Sequence, residues 1–417
     1  MDDGGIPRTG SEPVGEPVGQ DVVRGRKGNT VPASRIVSPA GGAEAINRVL
    51  SSGRLSGNGP EVQAFEAACA EWLGVRDAVA VHSGTAALYL ALSEYVRPGD
   101  RVITSPVSFF ATVEAIMQAG AVPLFVDVNS RCQMDADAAV AAMRTEPGVT
   151  AICPVHMYGD MVDMTSITNC AAEMGIAVIE DACQGHGATY NCHAAGSIGD
   201  LGCLSFYATK HVTTLGEGGL ITVPHGHSGR GTAERLRARR SHGMTGYSTH
   251  LLTGANYRMS EAAAAYGIES LKEFPAIQAE RVRASYGIWK AIAVDGDDSP
   301  YYTIPMSGLD VAHGYFWLPL LMNNAHLAKA MREHLLGLGI ETRQRYMVPM
   351  QRQPVVQRAY GRAFVEAADE ATPTADAIVP RMIGLPTPAR MTDVERERIV
   401  EGVLSFNGSP QIGMPTC

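Results

Sequence analysis

The feature that most constrains the fold of this chain is an alternation of short apolar runs with amphipathic stretches between residues 76 and 225. The apolar runs have the length of strands and lie at Ala78–His82, Arg101–Thr104, Val122–Val128, Ala151–His156, Ala177–Glu180 and Leu204–Tyr207. The amphipathic stretches include residues 85–95, 110–119, 135–143 and 163–174. Such alternation predicts an α/β fold, in which helices cover both faces of a mainly parallel sheet.

Helical periodicity continues on both sides of this region. It begins near Ala43 and again at Pro60, and residues 255–295 predict one long helix. We expect three parts in the chain. They are a disordered tail over residues 1–33, an N-terminal segment with the large domain over residues 34–290, and a smaller α+β C-terminal domain over residues 291–417. A length of 417 residues agrees with two domains.

The composition argues against several classes of protein. A net charge of −9 offers no basic face to nucleic acid or to an anionic membrane. The sequence has no run of eighteen apolar residues and no N-terminal signal segment. Its eight cysteines show neither a C-x-x-C pair nor zinc-like spacing. We therefore expect a soluble, cytoplasmic protein with reduced thiols, no metal site, and no nucleic acid or membrane partner.

One lysine stands apart from the other four. The others lie in the tail or on amphipathic helical patterns, where a solvated position is expected: Lys27, Lys272, Lys290 and Lys329. Lys210 follows a strand and precedes the glycine-rich turn Gly216–Gly219. Ligands of α/β sheets bind at the carboxyl ends of strands, and burial there favours the neutral, nucleophilic form of an amine. Lys210 is therefore a candidate nucleophile.

A carboxylate and an anion-binding turn accompany this lysine in the same predicted sheet. Asp181 ends a strand, where it can keep the ring nitrogen of a cofactor protonated or simply cap the next helix. Residues 81–88 predict a strand, a tight turn and the start of a helix. The backbone N–H groups of Gly84, Thr85 and Ala86 are then expected to point at an anion such as a phosphate.

With these residues the chain resembles the DegT/DnrJ/EryC1/StrS family of sugar aminotransferases, enzymes of fold-type I that use pyridoxal 5′-phosphate (PLP). The similarity covers about residues 43 to 405. The matching stretches are Ser83–Thr85, Pro106–Thr112, Val126–Asp127, Pro154–Gly159, Glu180–Ala188, Gly196–Asp200, Ser205–Lys210, Gly216–Gly219, Gly254–Met259 and Gly339–Thr342. Each stretch is a weak signal, but together and in this order they are a specific one. The resemblance implies a large domain built on a mainly parallel seven-stranded sheet, with a smaller C-terminal domain.

The resemblance also implies roles for individual residues. Lys210 corresponds to the lysine that forms a Schiff base with PLP and moves a proton between the cofactor and the substrate carbon. Asp181 matches the carboxylate that pairs with the pyridine nitrogen. Phe109 matches the aromatic ring that stacks on the cofactor, and Gln184 matches a side chain near the ring hydroxyl.

The phosphate and substrate contacts follow from the same comparison of motifs. Gly84, Thr85 and Ser205 match the phosphate cup. Asn256 matches a residue that reaches the phosphate from a neighbouring subunit, which implies a homodimer with shared sites. Arg258 is a candidate for an anionic substrate group such as the carboxylate of the amino donor, although a surface ion pair is an equal alternative.

The implied reaction moves an amino group from L-glutamate or L-glutamine to a keto-sugar, with a nucleotide-linked sugar as the expected form. Pyridoxamine 5′-phosphate (PMP) carries the amine between the two half-reactions. Two alternatives stay open, namely an acceptor that is a keto-cyclitol or an antibiotic-nucleoside intermediate, and a non-catalytic regulatory homologue that binds PLP. A nicotinamide-dependent oxidoreductase is disfavoured because no G-x-G-x-x-G follows the first strand.

The chain departs from the family pattern at a few positions. Relatives that catalyse dehydration have His in place of the lysine, whereas this chain keeps Lys210. Arg345 and Tyr346 stand where relatives often have a His-Tyr pair, so both are candidate acceptor contacts and the arginine favours a more anionic acceptor. Two histidines in family-like segments, His186 and His242, are expected to be structural.

Overall fold

The computed structural model describes residues 30–226, 231–246, 248–293, 299–305, 311–344, 346 and 348–408. Its α-helices are α1 (Gly42–Ser52), α2 (Pro60–Leu73), α3 (Gly84–Tyr95), α4 (Ala111–Gln118), α5 (Ala136–Thr145), α6 (Met164–Met174), α7 (Thr232–Arg239), α8 (Glu261–Ile292), α9 (Ala325–Gly337), α10 (Pro354–Tyr360), α11 (Arg362–Ala371), α12 (Pro373–Ile378) and α13 (Asp393–Leu404). Its strands are β1 (Asp77–Val81), β2 (Arg101–Thr104), β3 (Val122–Phe125), β4 (Val149–Cys153), β5 (Ala177–Asp181), β6 (Thr189–Tyr190), β7 (His193–Ala194), β8 (Leu201–Ser205), β9 (Gly219–Val223), β10 (Tyr302–Thr303), β11 (Val311–Ala312), β12 (Leu318–Met322) and β13 (Met382–Leu385). Short 3₁₀ turns lie at Met157–Gly159, Met350–Arg352 and Val379–Arg381.

The large domain is built on a seven-stranded sheet with the order β1-β9-β8-β5-β4-β2-β3. Strand β9 pairs antiparallel with β1 and β8, and the other neighbours pair parallel. This confirms the predicted α/β fold and its mainly parallel sheet. The sequence pattern missed β9 because a loop, and no helix, joins it to β8. An antiparallel neighbour needs no helical crossover, so the alternation does not reveal it.

Both faces of the sheet are buried, which explains why its strands are continuous apolar runs. Ala78 and Ala80 of β1 pack with α2 and α8 on one face. Val79 and Val81 pack with α3 and α7 on the other, because successive side chains of a strand point to opposite faces.

Two strands end three residues earlier than the sequence predicts. The run expected at Val122–Val128 forms a strand only as far as Phe125, and the run expected at Ala151–His156 ends its strand at Cys153. Val128 and Val155 beyond these ends are nevertheless buried. The apolar composition of these residues correctly predicted that they are buried. Their backbone, however, forms loops at the carboxyl edge of the sheet and no longer pairs with the neighbouring strands.

The predicted disordered tail is too long at its C-terminal end. The backbone of Val31 donates to the carbonyl of Gly339 at 2.9 Å and accepts from Glu341 at 3.0 Å. Val31 and Ala33 are also buried. Residues 30–33 are therefore held against the C-terminal part of the chain, while residues 1–29 lie outside the described residues.

The second half of α8 packs against the C-terminal part of the chain. Ile288 and Ile292 share a core with Leu318 and Leu320 of the three-stranded sheet β10-β12-β13. The helix begins at Glu261 and not at 255, because Ser260 caps it by accepting from the N–H of Ala263 at 3.2 Å. The domain boundary expected at residue 290 falls in its last turn, and the division into domains stays a prediction.

No helix among the described residues combines the length and the apolar character needed to cross a bilayer. No cluster of three or more His, Cys, Asp or Glu side chains in the same residues is placed to hold a metal ion.

Candidate active site

A close approach of two strand ends forms the floor of the candidate site. A Cβ added to Gly84 would lie 2.8 Å from the Cβ of Ser205 and 3.1 Å from the sulfur of Cys183. Only glycine fits at such a distance. The N-terminus of α3 is therefore pressed against the end of β8, which brings Gly84 and Ser205 together as expected for a phosphate cup.

The first turn of α3 leaves fewer free donors than the sequence suggested. Ser83 caps the helix, and its hydroxyl oxygen accepts from the N–H of Ala86 at 3.1 Å. The N–H of Ala86 is used within the cap in this structure, and its assignment to the anion site stays a prediction. The N–H groups of Gly84 and Thr85 remain at the positive end of the helix dipole, where an anion is stabilised.

Asp181 is the last residue of β5 and is only 5% exposed. One carboxylate oxygen accepts from the hydroxyl of Thr112 at 2.6 Å, and the other accepts from the N–H of Cys183 at 3.1 Å. No helix starts directly after it in the described structure, so a helix cap does not explain this residue. Two hydrogen bonds fix the carboxylate at the carboxyl edge of the sheet.

Thr112 is a site residue to which sequence reasoning gave no role. It lies in the first turn of α4, and its hydroxyl oxygen is 3.2 Å from the carbonyl oxygen of Phe109, so its single proton is shared between this carbonyl and the closer Asp181. The ring of Phe109 is 55% exposed above this turn. Thr112 therefore ties the loop that carries Phe109 to Asp181. The available signal was a hydroxyl three residues after Phe109 at a predicted helix start.

A second, fully buried carboxylate supports the first. One oxygen of Glu180 accepts from Nε2 of His156 and from the N–H of Gly196, both at 2.9 Å. The other accepts from the N–H groups of Ile198 and Gly199 at 2.6 and 2.7 Å. A buried carboxylate needs this many donors, and the result is a fixed loop next to Asp181.

Gln184 connects the sheet edge to a later part of the chain. Its carbonyl oxygen accepts from the N–H of Tyr158 at 3.0 Å, and its amide donates to the hydroxyl of Tyr346 at 2.9 Å. The ring of Tyr346 stacks with that of Trp317, with the ring centroids 6.1 Å apart. The structure thus brings Tyr346 to the site. Arg345 lies outside the described residues.

Lys210 follows β8 by five residues and is half-buried. Its Nζ lies 4.5 Å from the centroid of the Phe316 ring, a contact that the sequence did not reveal. Burial raises the pKa of the Cys183 thiol well above its usual range, while the charge of Asp181 adds to the rise and that of Lys210 opposes it. Both charges are therefore within electrostatic range of one sulfur atom, which itself lies against Gly84.

Two buried histidines flank Lys210. Burial, followed by the charges of Lys210 and Arg281, lowers the pKa of His186 to about 3. The pKa of His211 is also well below its usual value, mainly because of burial. Nδ1 of His186 accepts from the N–H of Val212 at 3.2 Å, which agrees with a structural role for this neutral ring.

Three residues of the loop segments before α8 are more exposed. Asn256 is exposed, and its backbone bridges to Ser241. Arg258 is half-buried, with no carboxylate within salt-bridge distance among the described residues, so the structure does not show the surface ion pair considered above. His242 is exposed, and its carbonyl accepts from Nδ1 of His250 at 2.8 Å.

The chain is similar to known proteins along most of its length. A model of the DegT/DnrJ/EryC1/StrS aminotransferase family matches residues 40–404. The chain belongs to this family. It is 33% identical to the UDP-N-acetyl-3-dehydro-alpha-D-glucosamine 3-aminotransferase of Acidithiobacillus ferrooxidans, over 82% of this chain and 87% of that protein.

Solved structures of family-like proteins agree with this assignment. DesV of Streptomyces venezuelae, solved with a ketimine intermediate, has a TM-score of 0.81 and 27% identity, over 90% of this chain and 98% of that one. NtdA of Bacillus subtilis, solved with bound PMP, has a TM-score of 0.78 and 27% identity, over 91% of this chain and 85% of that one. The predicted family, fold-type I architecture and enzyme class are confirmed: this is a PLP-dependent aminotransferase.

The geometry of the site fits that cofactor. The approach of Gly84 to Ser205 forms a cradle at a helix N-terminus, which suits a phosphate. A hydrogen-bonded carboxylate at Asp181 suits a ring N–H. Lys210 supplies an amine whose charge, like that of Asp181, acts on the Cys183 thiol next to Gly84.

Proposed function

We propose that this aminotransferase binds PLP through Lys210 and moves an amino group from L-glutamate or L-glutamine to the ketone of a nucleotide-linked sugar. The observation that carries this proposal is the convergence of Gly84, Ser205, Asp181 and Lys210 around Cys183. The acceptor class is supported by the name of the Acidithiobacillus relative, which aminates a UDP-linked keto-sugar according to that name.

Each residue has a distinct part in the proposed reaction. PLP, when bound, supplies a ring that withdraws electrons from the substrate carbon. Asp181 would accept a hydrogen bond from the ring N–H and stabilise its positive charge, because Thr112 and the N–H of Cys183 hold the carboxylate in place. The amine of Lys210 removes a proton from the substrate carbon and returns it during the transfer. Phe109 covers the ring with its exposed face.

The remaining candidates bind groups at the edges of the site. Gly84, Thr85 and Ser205 hold the phosphate through two backbone N–H groups and a hydroxyl. Gln184 would face the ring oxygen of the cofactor, in the orientation that Tyr158 and Tyr346 give its side chain.

The acceptor side is proposed to include Tyr346, Arg345 and Arg258. Tyr346 is connected to the cofactor side through Gln184. Arg258 has no carboxylate partner among the described residues, which leaves it available to an anionic part of the acceptor.

We further propose a homodimer in which Asn256 completes the phosphate site of the neighbouring subunit. Its exposed side chain makes no hydrogen bond within the described part of the chain, which supports this role. Mixing inactive Lys210→Ala subunits with Asn256→Ala subunits is expected to restore activity, because one site of each hybrid then has both residues. No recovery after verified subunit exchange would contradict shared sites.

Incubation of the holoenzyme with an amino donor and candidate acceptors tests the function. We expect mass spectrometry to show replacement of a ketone oxygen by an amine on a nucleotide-linked keto-sugar, with formation of the donor's keto acid. If only a keto-cyclitol is aminated, the proposed acceptor is wrong and the proposed amino transfer is correct. Failure of every donor to form its keto acid would contradict the proposed function and favour a regulatory role.

A further inference from the structure

A second feature of the site lies on the side of Lys210 that faces α8. A pocket opens there between three parts of the chain, namely residues 35–39, residues 208–213 after β8, and the middle of α8. Its lining includes Lys210, His211 and Arg281. These parts are distant in sequence, so no motif marks the pocket.

Arg281 is a buried cation in this pocket, with only 8% of its surface exposed. Burial alone lowers its pKa to about 10. Its guanidinium donates to the carbonyl of Thr387, whereas its Nε has no partner among the described residues. No carboxylate within the described ranges lies at salt-bridge distance. The comparable buried arginine, Arg240, is paired with Glu66.

Apart from Lys210, the other charged side chains of the pocket already have partners of opposite charge. Arg35 forms an ion pair with Glu395. Glu273 accepts from the N–H of Ala40 at 2.7 Å and from Arg390 at 3.1 Å. Because an uncompensated buried charge is costly, the positive charge of Arg281 needs an explanation outside these contacts.

His211 adds hydrogen-bonding capacity without charge. It is 7% exposed, and neither ring nitrogen has a hydrogen bond of full geometry in the described structure. The backbone of His186 makes only a weak contact with the ring, which partly opposes the lowering of the pKa of His211. Its lowered pKa keeps the ring neutral near neutral pH, so one nitrogen donates and the other accepts. The pocket therefore offers a charged, planar donor and a neutral donor close to the lysine amine.

We propose that this pocket recognises the α-carboxylate of the amino donor, with Arg281 as its counter-charge and His211 as a second donor. The proposal rests on the proposed function, since it places the amine of an amino acid next to Lys210. A guanidinium binds a carboxylate with two parallel hydrogen bonds, which fixes orientation as well as charge. Arg258 is then left for the acceptor.

The test compares donors that differ only in that carboxylate. L-glutamine and 4-aminobutanamide are given to the holoenzyme, and the rate of cofactor conversion is followed by absorbance. Arg281→Met is expected to lower kcat/KM for L-glutamine by about 10- to 100-fold, as for a lost charged hydrogen bond, and to leave 4-aminobutanamide unaffected. Arg281→Lys should fall in between. The matched control is Arg283→Met, an exposed position on the same helix, which should behave as wild type.

Thermal melting in glutarate, a carboxylate that cannot donate an amine, separates binding from a structural role. Glutarate is expected to raise the Tm of wild type and Arg283→Met but not of Arg281→Met. Without glutarate, Arg281→Met should be at least as stable as wild type, because an unpaired buried charge is removed. The proposal would be overturned if Arg281→Met lost much of its Tm and glutarate still raised the Tm of this variant. It would also be overturned if Arg258→Met no longer preferred L-glutamine to 4-aminobutanamide while Arg281→Met still did. If wild type converts no donor, the proposed function fails, whereas the glutarate shift still reports on the pocket.

Discussion

The buried polar groups on the two sides of Lys210 differ in how many hydrogen-bond partners the chain provides for them. Toward the sheet edge, Asp181 and Glu180 are both buried and together accept six hydrogen bonds from side chains and backbone N–H groups. Toward α8, the guanidinium of Arg281 has one carbonyl partner, and neither ring nitrogen of His211 has a hydrogen bond of full geometry among the described residues. The difference supports the proposal that the chain itself holds the two carboxylates of the cofactor side in place, whereas the substrate completes the donor side.

We expect the largest loss of activity from substitution of Lys210, the residue between the two sides. Lys210→Ala removes both the attachment point of the cofactor and the proton carrier, so kcat should fall by about 10⁴-fold or more. Lys290→Ala, an exposed lysine on α8, is the matched control and should keep wild-type activity. Steady-state assays with both variants check this. Substantial activity in Lys210→Ala would remove the lysine from the centre of the site.

The cofactor side should lose the most stability when its buried network is broken. Glu180→Ala leaves His156 and three backbone N–H groups without an acceptor, and we expect a loss of about 3–5 kcal/mol. Urea denaturation of the protein measures it against Glu280→Ala, an exposed glutamate whose removal should change little. Equal midpoints for the two variants would mean that this side is not held together by the network.

Variants of Asp181 and Thr112 distinguish the loss of the carboxylate itself from the loss of a hydrogen bond that holds it in place. Asp181→Asn should lower kcat on the order of 10²–10³-fold, as expected when a preorganised electrostatic group is removed. Thr112→Val leaves one of the two hydrogen bonds to Asp181, and its cost should be about tenfold, mainly in affinity for PLP. Titration with PLP and assays at saturating PLP resolve the two effects. A Thr112→Val variant as impaired as Asp181→Asn at saturating PLP would contradict this order.

The smallest effect is the pH dependence of stability from the two histidines beside Lys210. The pKa of His186 is about 3 in the folded protein and that of His211 is also depressed, mainly by burial. The unfolded chain therefore binds more protons below about pH 6.5, so stability is full above that pH and falls as the pH decreases. Each histidine should contribute a slope of about 1.4 kcal/mol per pH unit in this window. Urea midpoints between pH 7 and pH 5 should show a shallower loss for His211→Phe than for wild type, and identical slopes would contradict neutral burial of this ring.

Much of the fold could be predicted because both sheet faces are buried. Strand β2 was predicted with its observed ends, Arg101 and Thr104, and most other strands were placed within a few residues. Strand β9 was missed because it follows a loop and not a helix. The packing of Val31 could not be anticipated either, since its partner Gly339 is more than 300 residues away along the chain.

In the candidate site, too, the residues that lie in local sequence motifs could be predicted, whereas a residue that depends on distant contacts could not. Lys210, Asp181 and the α3 turn were found because each follows a strand in a recognisable motif. Arg281 was missed because a charged residue on an amphipathic helix normally faces solvent. Its burial depends on packing of the N-terminal segment and of the residues around Thr387, which no local pattern reports.

The most direct test of the central claim is the visible absorption spectrum of the purified protein with PLP, before and after addition of L-glutamate or L-glutamine. We predict a band of lysine-bound cofactor that one of these donors bleaches, and that is absent in Lys210→Ala. A wild-type protein without a lysine-dependent band would contradict the account. A band that no amino donor changes would retain the cofactor site and reject the aminotransferase.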